Sequence, residues 1–264
     1  MNRALIFDCD GVLGDTEQHG HLVAFNQMWR ELGVPWQWSI QQYGEKLKIG
    51  GGKERMASLL QDPAFTSVFP VPVDDSARKT LLATWHQRKS AIFRELVNSG
   101  RIPPRPGVQR LAEESLAQGW KLAVASTSAA ESVEAMLRHA VGDATFRRFE
   151  AVLAGDVVPN KKPAPDIYRL AAEKLGTAPA DCIVVEDSNN GLRAALAAGM
   201  KCIVTVSAYT KDEDFTGAAL VLSCLGDPDG DVCEVIVNRS LARPEAYLTA
   251  DDLEAVAAES FSSA

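Results

Sequence analysis

The chain has 264 residues, 46% of them hydrophobic and 23% charged, with a net charge of −8. That length exceeds one small domain and falls short of two large ones, and no apolar run approaches the roughly 18 residues of a membrane span. The acidic balance argues against a generic nucleic-acid or anionic-membrane binder, which is more often basic.

The first apolar run, "ALIF" at 4–7, is short for a signal-peptide core and leads directly into "DCDGVL". The expectation is a chain that begins with structure, any targeting segment being removed or absent. From 15 to about 104 the pattern is helical. "AFNQMWRELG" (24–33) and "ARKTLLATWHQRKSAIFRELVNSG" (77–100) read as helices with few strand signals between them. This stretch holds 11 Lys/Arg and 9 Asp/Glu, which leaves −10 for the remainder. A mildly basic lobe beside an acidic domain suits an anionic substrate, although two ordinary surfaces would give the same split. "RIPPRPG" (101–107), with three prolines, reads as a stiff return linker.

Beyond the linker the rhythm is strand, helix, strand. The apolar runs "KLAVAS" (121–126), "AVLAG" (151–155), "CIVVE" (182–186), "CIVTV" (202–206) and "ALVL" (219–222) join "ALIF" as six buried parallel strands. "GVQRLAEESLAQG" (107–119), "APDIYRLAAEKLG" (164–176) and "GLRAALAAGM" (191–200) repeat apolar residues at three and four, the first two ending on glycine. This alternation predicts a doubly wound, Rossmann-like α/β sheet over 1–14 and 105–264, with a helical lobe inserted over 15–104. After about 226 there is little periodicity until "LEAVAAE" (253–259). The five cysteines include no CxxC pair. They read as small buried hydrophobes in a reducing compartment, not as a zinc site.

In such sheets ligands bind beyond the carboxyl ends of the strands. Those ends carry Asp8 and Asp10, then Ser126, Thr127 and Ser128, then "GDVVPNKKPAP" with Lys161 and Lys162, then Glu186 and Asp187. Carboxylates from two strand ends can hold Mg²⁺, a hard ion that takes oxygen ligands. A lysine and a hydroxyl beside them suit phosphate oxygens. Together they make a phosphoryl-transfer site. One aspartate can attack phosphorus. The other, two residues on and on the same side of an extended chain, can exchange protons with the leaving oxygen and with water. Gly11 lets the chain turn away there. Each motif alone has a plainer reading: a solvated turn, a helix cap for "STS" or "EDS", an exposed loop for "KKP". Their joint placement in strand order favours the site.

"DCDGVL", "VASTS", "KKPAPDIY" and "VVEDSNNGLRAALAAGM" resemble the motifs of the haloacid dehalogenase superfamily of phosphatases and phosphomutases. The helical insertion after the first motif is similar to its C1-type cap. The resemblance implies Asp8 as nucleophile and Asp10 as general acid/base. It implies Ser126 and Lys162, the lysine immediately before Pro163, as holders of the phosphoryl group. Mg²⁺ would be bound by Asp8, the carbonyl of Asp10, and Asp187, with Glu186 a weaker candidate.

The lobe must then choose the substrate. "KIGGGKERM" (48–56) sets glycines before Lys53 and Arg55 at a helix start, which reads as a second anion site. The plainer reading is a glycine loop with solvated charges. It is not a Walker loop, since the spacing and the preceding strand are wrong. His86 and Lys89 share a helix face, and Glu17 and His21 sit at the entry to the lobe; histidines on helices are more often structural. "DTEQHGHLVAFN", "YGEKLKIGGGKERM", "HQRKSAIF" and "AYTKDEDFTGAALVLSCLGDP" resemble the CbbY-type subfamily, and within it the plant and algal plastid branch. That branch removes xylulose-1,5-bisphosphate, a Rubisco inhibitor, as xylulose 5-phosphate and phosphate. The resemblance places the distal phosphate at Gly51, Gly52, Lys53, Glu54 and Arg55. Many bacterial relatives carry the entry histidine one position earlier, where this chain has Gly20, so the role passes to His21. Asn160 stands where the plastid branch tends to have lysine. A monomer acting on a small sugar bisphosphate is expected, without nucleic acid or membrane. The resemblance implies the chloroplast stroma, although a bacterial cytosolic homologue would look the same. The rival reading is a phosphomutase of the β-phosphoglucomutase kind. The complete motif set argues against a non-catalytic binding protein.

Overall fold

A computed structural model describes residues 2–258. In it the chain forms seven strands: β1 (Ala4–Phe7), β2 (Lys121–Ser126), β3 (Ala151–Ala154), β4 (Cys182–Glu186), β5 (Lys201–Thr205), β6 (Leu220–Leu222) and β7 (Val235–Asn238). They make one sheet in the order β3-β2-β1-β4-β5-β6-β7. The first six are parallel, and β7 runs antiparallel on the β6 edge. β1, β4, β5 and β6 are buried at every position, as strands covered on both faces must be. Alternate residues serve opposite faces. Ala4, Ile6, Ala123, Ala125, Val184 and Val204 enter one apolar cluster with Ile167, Tyr168, Leu192 and Ala195.

The helices of this unit are α6 (Val108–Ala117), α7 (Ala130–Phe146), α8 (Asp166–Leu175), α9 (Asn189–Ala197) and α10 (Ala250–Ala258), numbered after five in the insertion. α8 and α9 supply the cluster just named; α6, α7 and α10 pack on β2, β3 and β4 respectively. Gly107 at φ 83° precedes α6 and Gly176 at φ 59° ends α8, both left-handed positions that favour glycine.

The chain gathers into two compact units, one comprising the chain up to Asp15 and from Pro103 onward, the other Thr16–Ile102. The second opens on a π-helical turn, Glu17–His21, and continues through α1 (Leu22–Glu31), α2 (Ile40–Leu47), α3 (Gly52–Leu59), α4 (Pro63–Thr66) and α5 (Asp75–Asn98). Ser39 and Gln42 form a reciprocal capping box at α2. Asp74 caps α5 through the Ala77 N–H. The interior is aromatic: Trp29 meets Trp38 and Trp85 edge-on at 4.6 and 6.4 Å, and Phe65 meets Trp85 at 6.0 Å. Among the described residues no helix is long and apolar enough to cross a membrane.

The strands stand where the apolar runs predict them, with small shifts: β3 ends at Ala154, β5 starts at Lys201 and β6 at Leu220. Three things differ from the sequence reading. β7 carries no apolar-run signal because it is a mostly exposed edge strand. α7 is a helix beyond those expected, with Val133, Met136, Leu137, Ala140 and Val141 facing inward at helical spacing. The insertion holds five helices, of which α2, α3 and α4 are too short for a periodic pattern to stand out. The last predicted helix is present as α10, and Glu259 lies outside the described residues. All five cysteines are buried thiols.

Ile6 is fully buried in the central strand. Ile6→Ala is expected to lower the stability of the protein by about 2–5 kcal/mol, read as an earlier midpoint in urea denaturation.

Candidate active site

The sheet order reverses around β1, which lies between β2 and β4. In a doubly wound sheet this switch point opens a crevice at the carboxyl ends. Asp8 follows β1 and keeps its pairing, its N–H donating to the Val185 carbonyl at 2.9 Å. Ser126 ends β2, Glu186 ends β4 and Asp187 follows it. Asp8, Ser126, Glu186 and Asp187 are all buried.

Lys162 joins them. Its Nζ donates to Asp8 Oδ1 at 2.6 Å, to Glu186 Oε1 at 2.6 Å and to the Ala125 carbonyl at 3.0 Å. Lys161 turns the other way, half-exposed, and pairs with Asp156 at 3.1 Å. The geometry thus separates the two adjacent lysines. Glu186 is saturated. Its Oε1 accepts from Lys162 and from the Tyr168 hydroxyl at 2.5 Å; its Oε2 accepts from the Asp187 N–H at 3.1 Å and the Ser188 hydroxyl at 3.3 Å. Asp10 accepts a short hydrogen bond from the Ser128 hydroxyl, and the Ser128 N–H donates to Ser126 Oγ at 3.2 Å. Thr127 stands half-buried between those serines.

Burial pushes the Asp8 carboxyl up to about 7; Lys162 opposes this, while Glu186 and Asp10 add to it. Burial disfavours the Lys162 ammonium, but the Asp8 and Glu186 carboxylates outweigh it and raise its pKa above the usual lysine value. The lysine therefore stays charged. Burial also raises the Tyr168 hydroxyl, which remains a donor.

Asp8, Glu186 and Asp187 each offer a carboxylate oxygen within 4.8 Å of the others. Three buried carboxylates and Asp10 against one lysine leave an excess of negative charge. An all-oxygen set of this kind fits a hard divalent cation such as Mg²⁺. Glu186 already accepts from four donors, so Asp8 and Asp187 are the better placed side chains to hold it. The backbone makes room for this. Gly11 has φ 77°, and a Cβ there would lie 2.1 Å from Asp187 Oδ2. A Cβ on Gly191 would lie 1.8 Å from the Glu186 carboxyl carbon. Neither position admits a side chain while the carboxylates stay in place.

Thr16–Ile102 has its own polar groups. The Tyr43 hydroxyl donates to Glu17 Oε2 at 2.5 Å and accepts from Arg55 Nη1 at 2.9 Å. Arg55 Nε donates to the Ile49 carbonyl at 2.9 Å. His21 is buried and stacks on Phe93 at 4.1 Å, with its Nδ1 2.7 Å from Lys89 Nζ. Lys89 is also buried, 4.9 and 5.1 Å from the centres of the Phe25 and Phe93 rings. Position 20 has no room for a side chain: a Cβ on Gly20 would lie 2.6 Å from both Ile102 and Phe93. Gly51 (φ 95°) and Gly52 start α3, and Glu54 folds back over Gly51. The remaining candidates are less gathered. Lys53 is exposed on α3, and His86 is half-buried a turn before Lys89.

The model of the haloacid dehalogenase-like hydrolases matches residues 2–199. The chain is 46% identical over 245 residues to the CBBY-like protein of Arabidopsis thaliana, covering 93% of this chain and 76% of that protein. It is 41% identical over 234 residues to protein CbbY of Cereibacter sphaeroides, covering 87% and 95%. The chain belongs to the haloacid dehalogenase-like hydrolases. A crystal structure of a mutant CbbY from Rhodobacter sphaeroides in complex with xylulose-1,5-bisphosphate superposes on this hydrolase with a TM-score of 0.74 at 40% identity, over 85% of this chain and 95% of that one.

Several groups that contact the candidate residues escape a sequence reading. Tyr168 lies on the buried stripe of α8, where a tyrosine reads as core. Ser188 reads as a helix cap, and it does cap α9 through the Gly191 N–H at 3.2 Å while also donating to Glu186. The Ala125 carbonyl has no sequence signal. Tyr43 lies far along the chain from both groups it joins.

Asp8 gives a pH signature in metal-free protein. Its folded pKa lies above its unfolded one, so the folded state binds more protons between about pH 4 and pH 7. The cost of burying the ionised carboxyl is absent below that window and fully present above it. Asp8→Asn removes that charge. Its melting temperature with a chelator present is expected to exceed the parent's by more at pH 8 than at pH 4, by calorimetry.

Proposed function

We propose that this hydrolase is a Mg²⁺-dependent phosphatase that removes the C1 phosphate of xylulose-1,5-bisphosphate, yielding xylulose 5-phosphate and phosphate. The observation that carries the chemistry is the set of buried Asp8, Glu186 and Asp187 gathered with Lys162 at the switch point of the sheet. Similarity to CbbY proteins, one of which is crystallised with this bisphosphate, supports the choice of substrate.

When bound between Asp8, the Asp10 carbonyl and Asp187, Mg²⁺ would offset negative charge on the phosphoryl oxygens. The Asp8 carboxylate attacks phosphorus in line, and the bond to the C1 oxygen breaks, leaving an aspartyl-phosphate. Asp10 donates the proton that the departing alkoxide takes up. It then accepts a proton from the water that attacks the aspartyl-phosphate and frees phosphate and Asp8. Lys162 balances charge on the transferring group, and the Ser126 hydroxyl donates to one of its oxygens. The Ser128 hydroxyl holds the Asp10 carboxyl in one orientation. Glu186, fully occupied, holds Lys162.

We assign selectivity to the Thr16–Ile102 unit. The loop and helix start at Gly51, Gly52, Lys53, Glu54 and Arg55 take the phosphate that does not react. Glu17, His21, His86 and Lys89 serve the sugar. A plastid location belongs to this reading, supported by similarity to the Arabidopsis protein.

Phosphate release tests the proposal, with xylulose-1,5-bisphosphate, ribulose-1,5-bisphosphate and β-glucose 1-phosphate compared with and without Mg²⁺. The expected result is Mg²⁺-dependent preference for the xylulose compound, lost in Lys53→Ala. Conversion of glucose 1-phosphate to an isomer without phosphate release would instead make the protein a mutase. Asp8→Asn is expected to abolish turnover while equilibrium binding of the bisphosphate survives. Retained turnover would rule out the covalent route.

A further inference from the structure

Tyr43 is fully buried, yet its hydroxyl ends between two charged groups. Its ring packs against Phe25 at 5.9 Å and Trp38 at 5.8 Å in the aromatic interior of Thr16–Ile102. Its hydroxyl donates to Glu17 and accepts from Arg55, whose guanidinium lies 5.6 Å from the ring centre. Arg55 Nη1 also lies 3.5 Å from Glu17 Oε2. The three residues come from three elements: the π-helical turn, α2 and α3. No backbone ladder links these three groups; the phenol hydroxyl bridges them.

We infer that Tyr43 is a positioning residue that fixes Glu17 and Arg55 as one acceptor–donor pair for a phosphorylated polyol. This rests on the assignment of Glu17 and Arg55 to the substrate in the preceding subsection. The physical need is twofold. A carboxylate close to a phosphate would repel it, and the Tyr43 proton and the Arg55 charge together disperse that charge while leaving Glu17 an acceptor for a sugar hydroxyl. An arginine held at Nε by the Ile49 carbonyl and at Nη1 by Tyr43 has already lost the side-chain freedom that binding would otherwise freeze. The rigid aromatic bed beneath the phenol ring transmits the fold of the unit to both charged groups.

Tyr43→Phe keeps the ring and deletes only the hydroxyl. KM and kcat are measured below the melting transition of every variant, for xylulose-1,5-bisphosphate and for p-nitrophenyl phosphate, which has neither polyol nor second phosphate. KM for the bisphosphate is expected to rise about tenfold or more, the effect of losing hydrogen bonds to charged groups, with kcat changed far less. The change on p-nitrophenyl phosphate is expected to be several-fold smaller. Tyr43→Phe added to Glu17→Gln is expected to cost little more than Glu17→Gln alone, since Tyr43 acts through that carboxylate. Equal losses on both substrates, no loss on either, or additive losses in the double variant would overturn the inference and leave Tyr43 as packing. If Glu17→Gln and Arg55→Gln also leave the bisphosphate KM unchanged, the assignment of these residues to the substrate falls as well. If those two raise it and Tyr43→Phe does not, the inference about Tyr43 alone falls.

Discussion

One ammonium, that of the largely enclosed Lys162, holds the candidate site together. It lies 2.6 Å from both Asp8 and Glu186 and draws carboxylates from two different strands toward one point. A buried ion pair is tolerable only when its remaining lone pairs and protons are satisfied. The surroundings meet that demand: the Ala125 carbonyl takes another Lys162 proton, while Tyr168, Ser188 and the Asp187 N–H complete Glu186. Taking away the Lys162 ammonium would leave the Glu186 carboxylate buried and short of compensation, so this lysine is the piece the constellation can least spare. Gly11 and Gly191 belong to it as well, since a methyl at either would displace a carboxylate.

The arrangement divides labour between two similar acids. Glu186 is spent on structure, with every oxygen occupied. Asp8 is pushed up to about 7 by burial and restrained by Lys162, so its charge responds to what binds beside it. A phosphoryl group and a divalent cation would each change that balance, which suits the nucleophile's part proposed for Asp8.

Thr16–Ile102 solves a related problem with other means. Its interior is built from tryptophan, phenylalanine and tyrosine rings, and polar atoms are brought to defined places by their attachment to that bed. Tyr43 presents a hydroxyl to Glu17 and Arg55, and Phe25 and Phe93 lie beneath Lys89, which meets His21 at 2.7 Å. Large rigid side chains have few torsions to lose, so they can fix charged groups at small entropic cost.

Much of this was legible in the sequence. Apolar runs of four to six residues separated by amphipathic segments are satisfied by a sheet with helices on its faces, so the strands and most core helices could be placed from pattern alone. Asp8, Asp10, Ser126, Glu186 and Asp187 could be singled out as candidates because they end or follow those runs, and the sheet rule sends strand ends to one crevice; Lys162 was preferred to Lys161 only through its place before Pro163 in the family motif. What tertiary structure alone decided has a common physical cause: it depends on distances between residues remote in the chain. Residue pattern leaves two adjacent lysines open, and the fold sends one side chain to Asp8 and the other to Asp156. Tyr168 becomes a partner of Glu186, and Tyr43 a bridge between Glu17 and Arg55, through packing that no periodicity encodes. β7 was invisible because an exposed edge strand carries no burial pattern. Local chemistry and hydrophobic period are written residue by residue; the pairing of buried charges is a property of the folded chain.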